Sequence, residues 1–185
     1  MSTDASQREA RFRALFTDAY QDVLRFAQRR VHPSHAEDVV AEAFVVAWRR
    51  LDDAPRRPDD LRAWLFGITR NHLLNARRGQ GRRDALAVRI AETATHSWSQ
   101  HPSVDLVPHR LDLAAAWRRL SPADQEVLAL TVFEDLTSPQ AARVLGITPP
   151  AYRLRLMRAR RELRRHLDAA DTATACTPSI PESAS

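Results

Sequence analysis

Apolar residues recur at three- and four-residue steps through most of this chain, which is the period of a helix that buries one face. The opening stretch is typical, with Phe12, Leu15 and Ala19 in phase. Ser34 and Glu37 have the spacing of a capping box and predict that a second helix begins behind Ser34. No segment alternates apolar and polar positions as a half-buried strand does. The pattern therefore predicts an all-α fold.

The helical period occurs in two blocks that are separated by an aperiodic stretch. We predict a first small helical domain over 8–78 and a second over 109–168. The segment 79–108 contains scattered Gly, Ser, His and Pro, which is typical of a flexible linker. A short helix over 84–94 is compatible with its sequence. The tail, 169–185, is rich in small and polar residues and is expected to be disordered.

Residues 136–167 predict two helices joined by a tight turn. Thr137 and Gln140 form a capping box for a short first helix. Gly146 suits the left-handed residue that closes a helix, and Thr148 is suited to cap the next one. This arrangement is that of a helix-turn-helix.

The second of these helices is unusually rich in arginine. Its apolar positions form one stripe that predicts burial: Tyr152, Leu156, Ala159, Leu163 and Leu167. Its other faces carry Arg153, Arg155, Arg158, Arg160, Arg161, Arg164 and Arg165. An ordinary solvated face mixes charges of both signs, whereas this one holds a single acid, Glu162. The pattern indicates contact with phosphates and base edges in a DNA major groove.

Composition agrees with a polyanionic partner, since the formal net charge is +5 and every basic residue among the 28 is arginine. The single cysteine, Cys176, excludes a disulfide framework and a thiolate metal site. The start of the chain lacks the apolar core of a signal peptide, and we expect a cytoplasmic protein. Scattered histidines, with no Gly-rich phosphate loop or serine elbow, argue against an enzyme. We therefore expect no catalytic residues, no metal and no cofactor.

Three stretches, in this order, resemble a known family. They are AEDVVAEAFVVAW (36–48), LRAWLFGITRNHLLNARR (61–78), and LSPADQEVLAL with the helix-turn-helix (120–167). Together they resemble a sigma-70 family RNA polymerase sigma factor of the extracytoplasmic-function (ECF) group, which keeps only the second and fourth conserved regions. The resemblance implies a protein that binds core RNA polymerase and directs it to promoters through their −10 and −35 elements.

For polymerase binding, the resemblance implies a docking face on the 36–48 helix. Asp38 and Glu42 share one side of it, being four residues apart, and Val39 lies beside them. Phe44 and Trp48 are expected to point inward. The family commonly has glutamine where this chain has Ala41.

For the −10 element, the resemblance implies that the loop 52–60 holds a flipped base. Arg56 and Arg57 in that loop would contact phosphate. Trp64, in phase with apolar neighbours, is expected in the core. The candidate readers on the next helix are Arg62, Arg70, Asn71 and Asn75.

For the −35 element, the resemblance places base reading on the first turns of the recognition helix. The candidate readers are Arg153, Leu154, Arg155, Met157 and Arg158. Leu154 would replace a hydrogen bond by apolar contact with a thymine methyl group. The candidate contacts to the DNA backbone are Arg160, Arg161, Arg164 and Arg165.

The resemblance also implies an anti-sigma factor as a partner, and no small-molecule substrate. The alternative is a helix-turn-helix regulator of the response-regulator type. That class needs an α/β receiver domain, and the first 80 residues show only helical periods.

Overall fold

The computed structural model describes residues 2–78, 88 and 107–175. These residues form seven α-helices and one short 3-10 helix, without a strand. The helices are α1 (Ser2–Gln28), α2 (Pro33–Arg49), α3 (Pro58–Arg78), α4 (Val107–Arg119), α5 (Pro122–Val132), α6 (Ser138–Leu145) and α7 (Pro149–Ala175), and the 3-10 helix spans Leu51–Asp53. The all-α prediction is confirmed. Cys176 and the expected helix over 84–94, Val88 apart, lie outside the described residues.

The first domain packs α1, α2 and α3 against one another. Its core is made by the in-phase apolar residues, and at its centre the rings of Phe26 and Phe66 stack at 4.9 Å. Trp64 is half-buried against this core, as expected. The expected cap of α2 at Ser34 is wrong, because the N-cap of this helix lies two residues earlier. His32 is the N-cap residue, and its ring nitrogen Nδ1 accepts from the backbone N–H of Ser34 at 3.4 Å. Pro33 has no N–H to satisfy, and it therefore occupies the first turn without cost.

The second domain contains α4 to α7, with α7 packed across α4 and α5. The predicted helix-turn-helix is confirmed. The Gln140 side chain accepts from the backbone N–H of Thr137 at 2.9 Å, and Gly146 closes α6 with φ of 67°. α7 continues to Ala175, past the predicted domain end at 168.

One residue of the predicted linker is docked on the second domain. Val88 is 2% exposed, and its backbone N–H donates to the Gln125 side chain at 3.0 Å. Its carbonyl accepts from the Trp117 indole N–H at 2.7 Å. The backbone at residue 88 is thus bound by two polar side chains of α4 and α5.

The two domains also pack directly on each other, mainly through α3 and α6. Arg143 of α6 pairs with Asp60 of α3 at 3.1 Å, at the edge of this contact. The two-domain prediction had assumed a linker that imposes little geometry. In the structure the domains form a common interface, which positions the candidate site residues of α3.

No helix among the described residues is long and apolar enough to cross a membrane.

Candidate nucleic-acid interface and docking face

The recognition helix α7 has one buried face and one charged face. Tyr152, Leu156 and Ala159 are buried against α4 and α5, as the apolar stripe predicts. The Tyr152 hydroxyl donates to the carbonyl of Val127 at 2.8 Å and lies 2.7 Å from the Thr131 hydroxyl. Burial raises the pKa of the Tyr152 phenol, and the Thr131 hydrogen bond partly opposes this. These contacts fix the rotation of α7 about its axis.

Because of that rotation, all seven arginines predicted for the outer face of α7 are exposed. Two apolar side chains lie among them, with Leu154 44% and Met157 61% exposed. An open groove runs along this face and is lined by Ser138, Arg153, Leu156, Met157, Arg160, Arg161 and Arg164. It brings two of the predicted base readers, Arg153 and Met157, together with the predicted backbone contacts Arg160, Arg161 and Arg164, whereas Leu154, Arg155, Arg158 and Arg165 lie outside it. The arrangement suits a polyanion that also presents apolar groups.

Ser138 is a groove residue that the sequence analysis missed. It is the first residue of α6, where backbone N–H groups have no partner within the helix. Such an end attracts phosphate. The available signal was its position directly behind the cap Thr137. Further along α7, Arg165 and His166 both contact Glu162, the His166 ring at 3.2 Å, so Arg165 is partly engaged within its own helix.

The loop between α2 and α3 is anchored by two buried side chains, Leu51 and Ala54. Arg56 and Arg57 follow and are exposed. On α3, Asn71 and Asn75 are exposed as well. These four predicted −10 residues therefore lie at the surface, on the loop and on the helix that continues from it.

Arg62 and Arg70 are placed differently, because both contact the second domain. Arg62 pairs with Asp22 at 3.2 Å and donates to the carbonyl of Glu134. Arg70 forms two hydrogen bonds with the carboxylate of Glu126, at 2.7 and 3.1 Å. Two predicted DNA readers are thus bound to acidic residues or carbonyls in this arrangement of the domains.

A buried ionic cluster that the sequence analysis missed lies beside them. Glu134, 3% exposed, accepts from Arg29 at 3.2 Å and from Arg30 at 3.3 Å. Arg30 is 2% exposed, and its guanidinium lies 3.5 Å from the ring centroid of Phe26. Burial lowers the pKa of Arg30, while the charge of Glu134 opposes this. No local pattern marks these residues, since their partners are about a hundred positions away in the chain.

The candidate docking face on α2 shows both agreement and difference. Asp38 and Glu42 are exposed, and Glu42 accepts from the His72 ring at 3.2 Å. Val39 is only 9% exposed and belongs to the core, so it supports the face from behind. Phe44 is buried as expected, but the inward orientation expected for Trp48 is wrong.

Trp48 is 38% exposed, and two other apolar side chains near it are also open to solvent. They are Val45 on α2, 50% exposed, and Phe16 on α1, 42% exposed. Ring contacts through Phe44 and Phe12 join Phe16 to Trp48, and a contiguous exposed apolar patch is typical of a protein-binding face. The sequence does indicate exposed apolar residues on α2, because this helix has more apolar positions than one buried stripe can hold.

Within the described residues, no group of three or more His, Cys, Asp or Glu side chains is arranged to hold a metal ion. The ring centroids of His32 and His35 lie 6.3 Å apart, and the His72 ring contacts Glu42 at 3.2 Å.

Comparison with known proteins agrees with this geometry. Residues 15–83 match the family described as Sigma-70 region 2, and residues 110–163 match Sigma-70, region 4. The chain is 37% identical to RNA polymerase sigma factor CnrH of Cupriavidus metallidurans over 142 residues, which cover 72% of this chain and 73% of CnrH. It is 29% identical to ECF RNA polymerase sigma factor SigL of Mycobacterium tuberculosis over 165 residues, or 89% and 93% of the two chains.

Two solved structures are similar to the whole fold. CnrH in complex with the cytosolic domain of CnrY has a TM-score of 0.59 and 28% identity, covering 91% of this chain and 94% of that one. The sigma factor RpoE in complex with the anti-sigma factor NepR from Bartonella quintana has a TM-score of 0.61 at 24% identity, covering 85% and 96%. The second likeness shows the fold alone. Because both domains match in order, the response-regulator alternative is not favoured.

Proposed function

This chain belongs to the sigma-70 family of RNA polymerase sigma factors, in the ECF group, and we propose from that premise which residues carry each step of its promoter-directed transcription initiation. The first domain binds core RNA polymerase and the −10 element, and the second reads the −35 element. The domains are taken as 8–78 and 109–168.

The observation that carries the proposal is the face of α7 opposite its buried stripe. Arg153, Arg155 and Arg158 are exposed on the early turns of the helix, beside Leu154 and Met157. Arginine can donate two hydrogen bonds to a guanine edge, and an apolar side chain can pack on a thymine methyl group. We assign base reading to these residues. The later arginines, Arg160, Arg161, Arg164 and Arg165, are assigned to phosphates, which adds affinity without sequence preference.

Core polymerase is proposed to bind the face of α2 that carries Asp38 and Glu42. Both carboxylates are exposed, and the apolar side chains of Val45 and Trp48 extend the same helix surface. A mixed acidic and apolar face fits a partner that offers basic residues around an apolar centre. Val39 stabilises the face from the core.

The −10 element is proposed to contact the loop 52–60 and α3. Arg56 and Arg57 offer charge to the backbone of the displaced strand, and Asn71 and Asn75 offer amide groups to bases. Arg62 and Arg70 join them only after their contacts with the second domain have been exchanged for DNA. Promoter binding therefore requires the two domains to separate.

Regulation is proposed to depend on an anti-sigma factor. The solved relatives CnrH and RpoE are in complex with CnrY and with the anti-sigma factor NepR, respectively. In this chain the exposed face around Phe16, Val45 and Trp48 offers such a partner an apolar surface. Polymerase performs the chemistry of RNA synthesis, so this chain is proposed to be no enzyme and to act in the cytoplasm, where polymerase and the chromosome are.

The test is reconstitution with core RNA polymerase, followed by run-off transcription on genomic fragments. We expect the chain to co-purify with core enzyme and to start transcripts at a small promoter set that shares −10 and −35 sequences. The matched control replaces Arg153 and Arg158 by alanine, which should retain core binding and lose those transcripts. Transcripts that start at the same sites with this variant would contradict the assignment of α7 to −35 reading.

A further inference from the structure

The loop between α2 and α3 has few backbone hydrogen bonds of its own. It contains Pro55 and ends at Pro58, and neither residue has an N–H group to donate. Its turn contacts are those of the 3-10 helix, in which Ala54 N–H donates to the carbonyl of Leu51 at 3.2 Å. Among the described residues, no backbone N–H donates to the carbonyls of Ala54 and Pro55. Their donors have to come from another part of the molecule.

That donor is Arg11 of α1. Its Nη1 donates to the carbonyl of Leu51 at 3.2 Å, and its Nη2 donates to the carbonyls of Ala54 at 3.0 Å and Pro55 at 3.4 Å. One guanidinium therefore spans the segment from the 3-10 helix to the residue directly before Arg56. Arginine suits this role because its donors are fixed in a planar fork, whereas lysine presents a single flexible ammonium group.

Arg8, one turn earlier on the same face of α1, holds the preceding segment. Its Nη2 donates to the carbonyl of Trp48 at 2.8 Å, its Nη1 pairs with Asp52 at 3.1 Å, and its guanidinium lies 5.0 Å from the Trp48 ring centroid. Each of the two arginines thus binds a different part of the connection between α2 and α3. Arg8 fixes the end of α2, and Arg11 fixes the stretch that leads into the exposed pair Arg56 and Arg57.

We infer that Arg11 is a positioning residue for −10 recognition: through the carbonyls of Leu51, Ala54 and Pro55 it sets where Arg56, Arg57 and the rest of the 52–60 loop stand relative to α3. The inference rests on the proposed role of that loop in holding a −10 base. Arg11 itself need not touch DNA. Its loss would let the loop take several paths, so that the loop would accept different bases with similar affinity.

The experiment uses the full chain bound to core RNA polymerase. Fluorescent fork-junction DNAs carry each of the four bases in turn at every −10 position, and affinity is measured by anisotropy. We compare Arg11→Lys and Arg11→Gln with the matched control Arg13→Gln. Arg13 lies on the same helix and pairs only with Glu9, at 2.6 Å, among the contacts that the described residues show for it. Core affinity and the thermal midpoint are measured for each variant.

The expected result is a loss of discrimination without a loss of folding. For both Arg11 variants, the ratio of affinities between the preferred and the poorest base should fall about tenfold, the factor that one net hydrogen bond of about 1.4 kcal/mol provides. The Arg13 variant should keep the ratio of the unchanged protein. Core affinity and the thermal midpoint of Arg11→Lys should also be retained.

Two results would overturn the inference. In one, both Arg11 variants keep the original ratio. In the other, they weaken all four bases equally and in step with a lowered thermal midpoint, as a purely structural role requires. If instead the proposed function is wrong, the unchanged protein itself shows no base preference at any −10 position.

Discussion

Arg70 of α3 and Glu126 of α5 form a two-pronged ion pair that joins the two domains, with Nε–Oε1 at 2.7 Å and Nη2–Oε2 at 3.1 Å. The side chains are only 15% and 5% exposed, so water screens the pair less than it would at the surface. Arg70 is also a proposed −10 reader. In this arrangement the Arg70 guanidinium is paired with the Glu126 carboxylate of the second domain. It cannot bind a DNA phosphate at the same time.

Replacing Glu126 by glutamine should loosen the domain interface. The change leaves Arg70 partly buried without its carboxylate, which we expect to cost up to about 3 kcal/mol in the closed arrangement. Small-angle scattering of the free chain should therefore show a larger radius of gyration. Glu162→Gln is the matched control, since Glu162 pairs with Arg165 and His166 within α7 and not across the interface. An unchanged radius in Glu126→Gln would mean that the pair does not hold the domains together.

Tyr152 should make the stability of the second domain depend on alkaline pH. Burial raises the pKa of its phenol, so the folded state retains this proton above the ordinary value of about 10, where the unfolded state has lost it. Stability from this group is therefore fully present below pH of about 10 and is lost as the pH rises from there towards the folded-state pKa. Denaturant unfolding monitored by circular dichroism, repeated from neutral to alkaline pH, measures the effect.

Tyr152→Phe should reduce that alkaline loss. At neutral pH it should lower the free energy of unfolding by about 1 kcal/mol, because the carbonyl of Val127 loses its donor. Tyr20→Phe, at a half-buried position in the first domain, controls for the removal of a phenol. A Tyr152→Phe protein with the same alkaline slope as the unchanged chain would show that another group causes the dependence.

The two classes of arginine on α7 should differ in binding experiments with duplex −35 DNA. Arg153→Ala or Arg158→Ala should cost about 1–3 kcal/mol on the preferred sequence and relax the preference at one base pair. Arg164→Ala should weaken all sequences alike and flatten the salt dependence by about one unit. Titrations at several salt concentrations on a promoter panel separate these outcomes. Identical behaviour of Arg153→Ala and Arg164→Ala would refute the division into readers and phosphate contacts.

Reversing the charges of Asp38 and Glu42 to arginine should abolish co-purification with core RNA polymerase while the helical signal of the free chain is retained. Both carboxylates are exposed on one face of α2, and the contact that the variant removes among the described residues is that of Glu42 with the His72 ring. Asp18→Arg is the control, because Asp18 is also exposed but lies on α1, outside the proposed face of α2. Full core binding by the double variant would exclude this face as the docking site.

The features that can be predicted from the sequence are those determined by residues that are close together along the chain. The stripe of Tyr152, Leu156 and Ala159 follows from helical period, and burial of that stripe turns the arginines of α7 outward. The cap at Thr137 and the turn at Gly146 follow from local backbone chemistry. The helix positions and the exposed, arginine-rich side of α7 are therefore predictable from the sequence.

Other features depend on which helices meet, and no local pattern contains that information. From the sequence, Arg70 is predicted to face outward and to contact DNA. In the structure, α3 packs beside the second domain and Arg70 pairs with Glu126. From the sequence alone, Arg11 is one more solvated charge on α1. In the structure it donates hydrogen bonds to loop carbonyls about forty residues away in the chain. Trp48 was expected inside and lies at the surface, because α1 and α3 cover only part of its helix. The partner of a side chain is set by the packing of distant elements, whereas its phase on a helix is set by the chain itself.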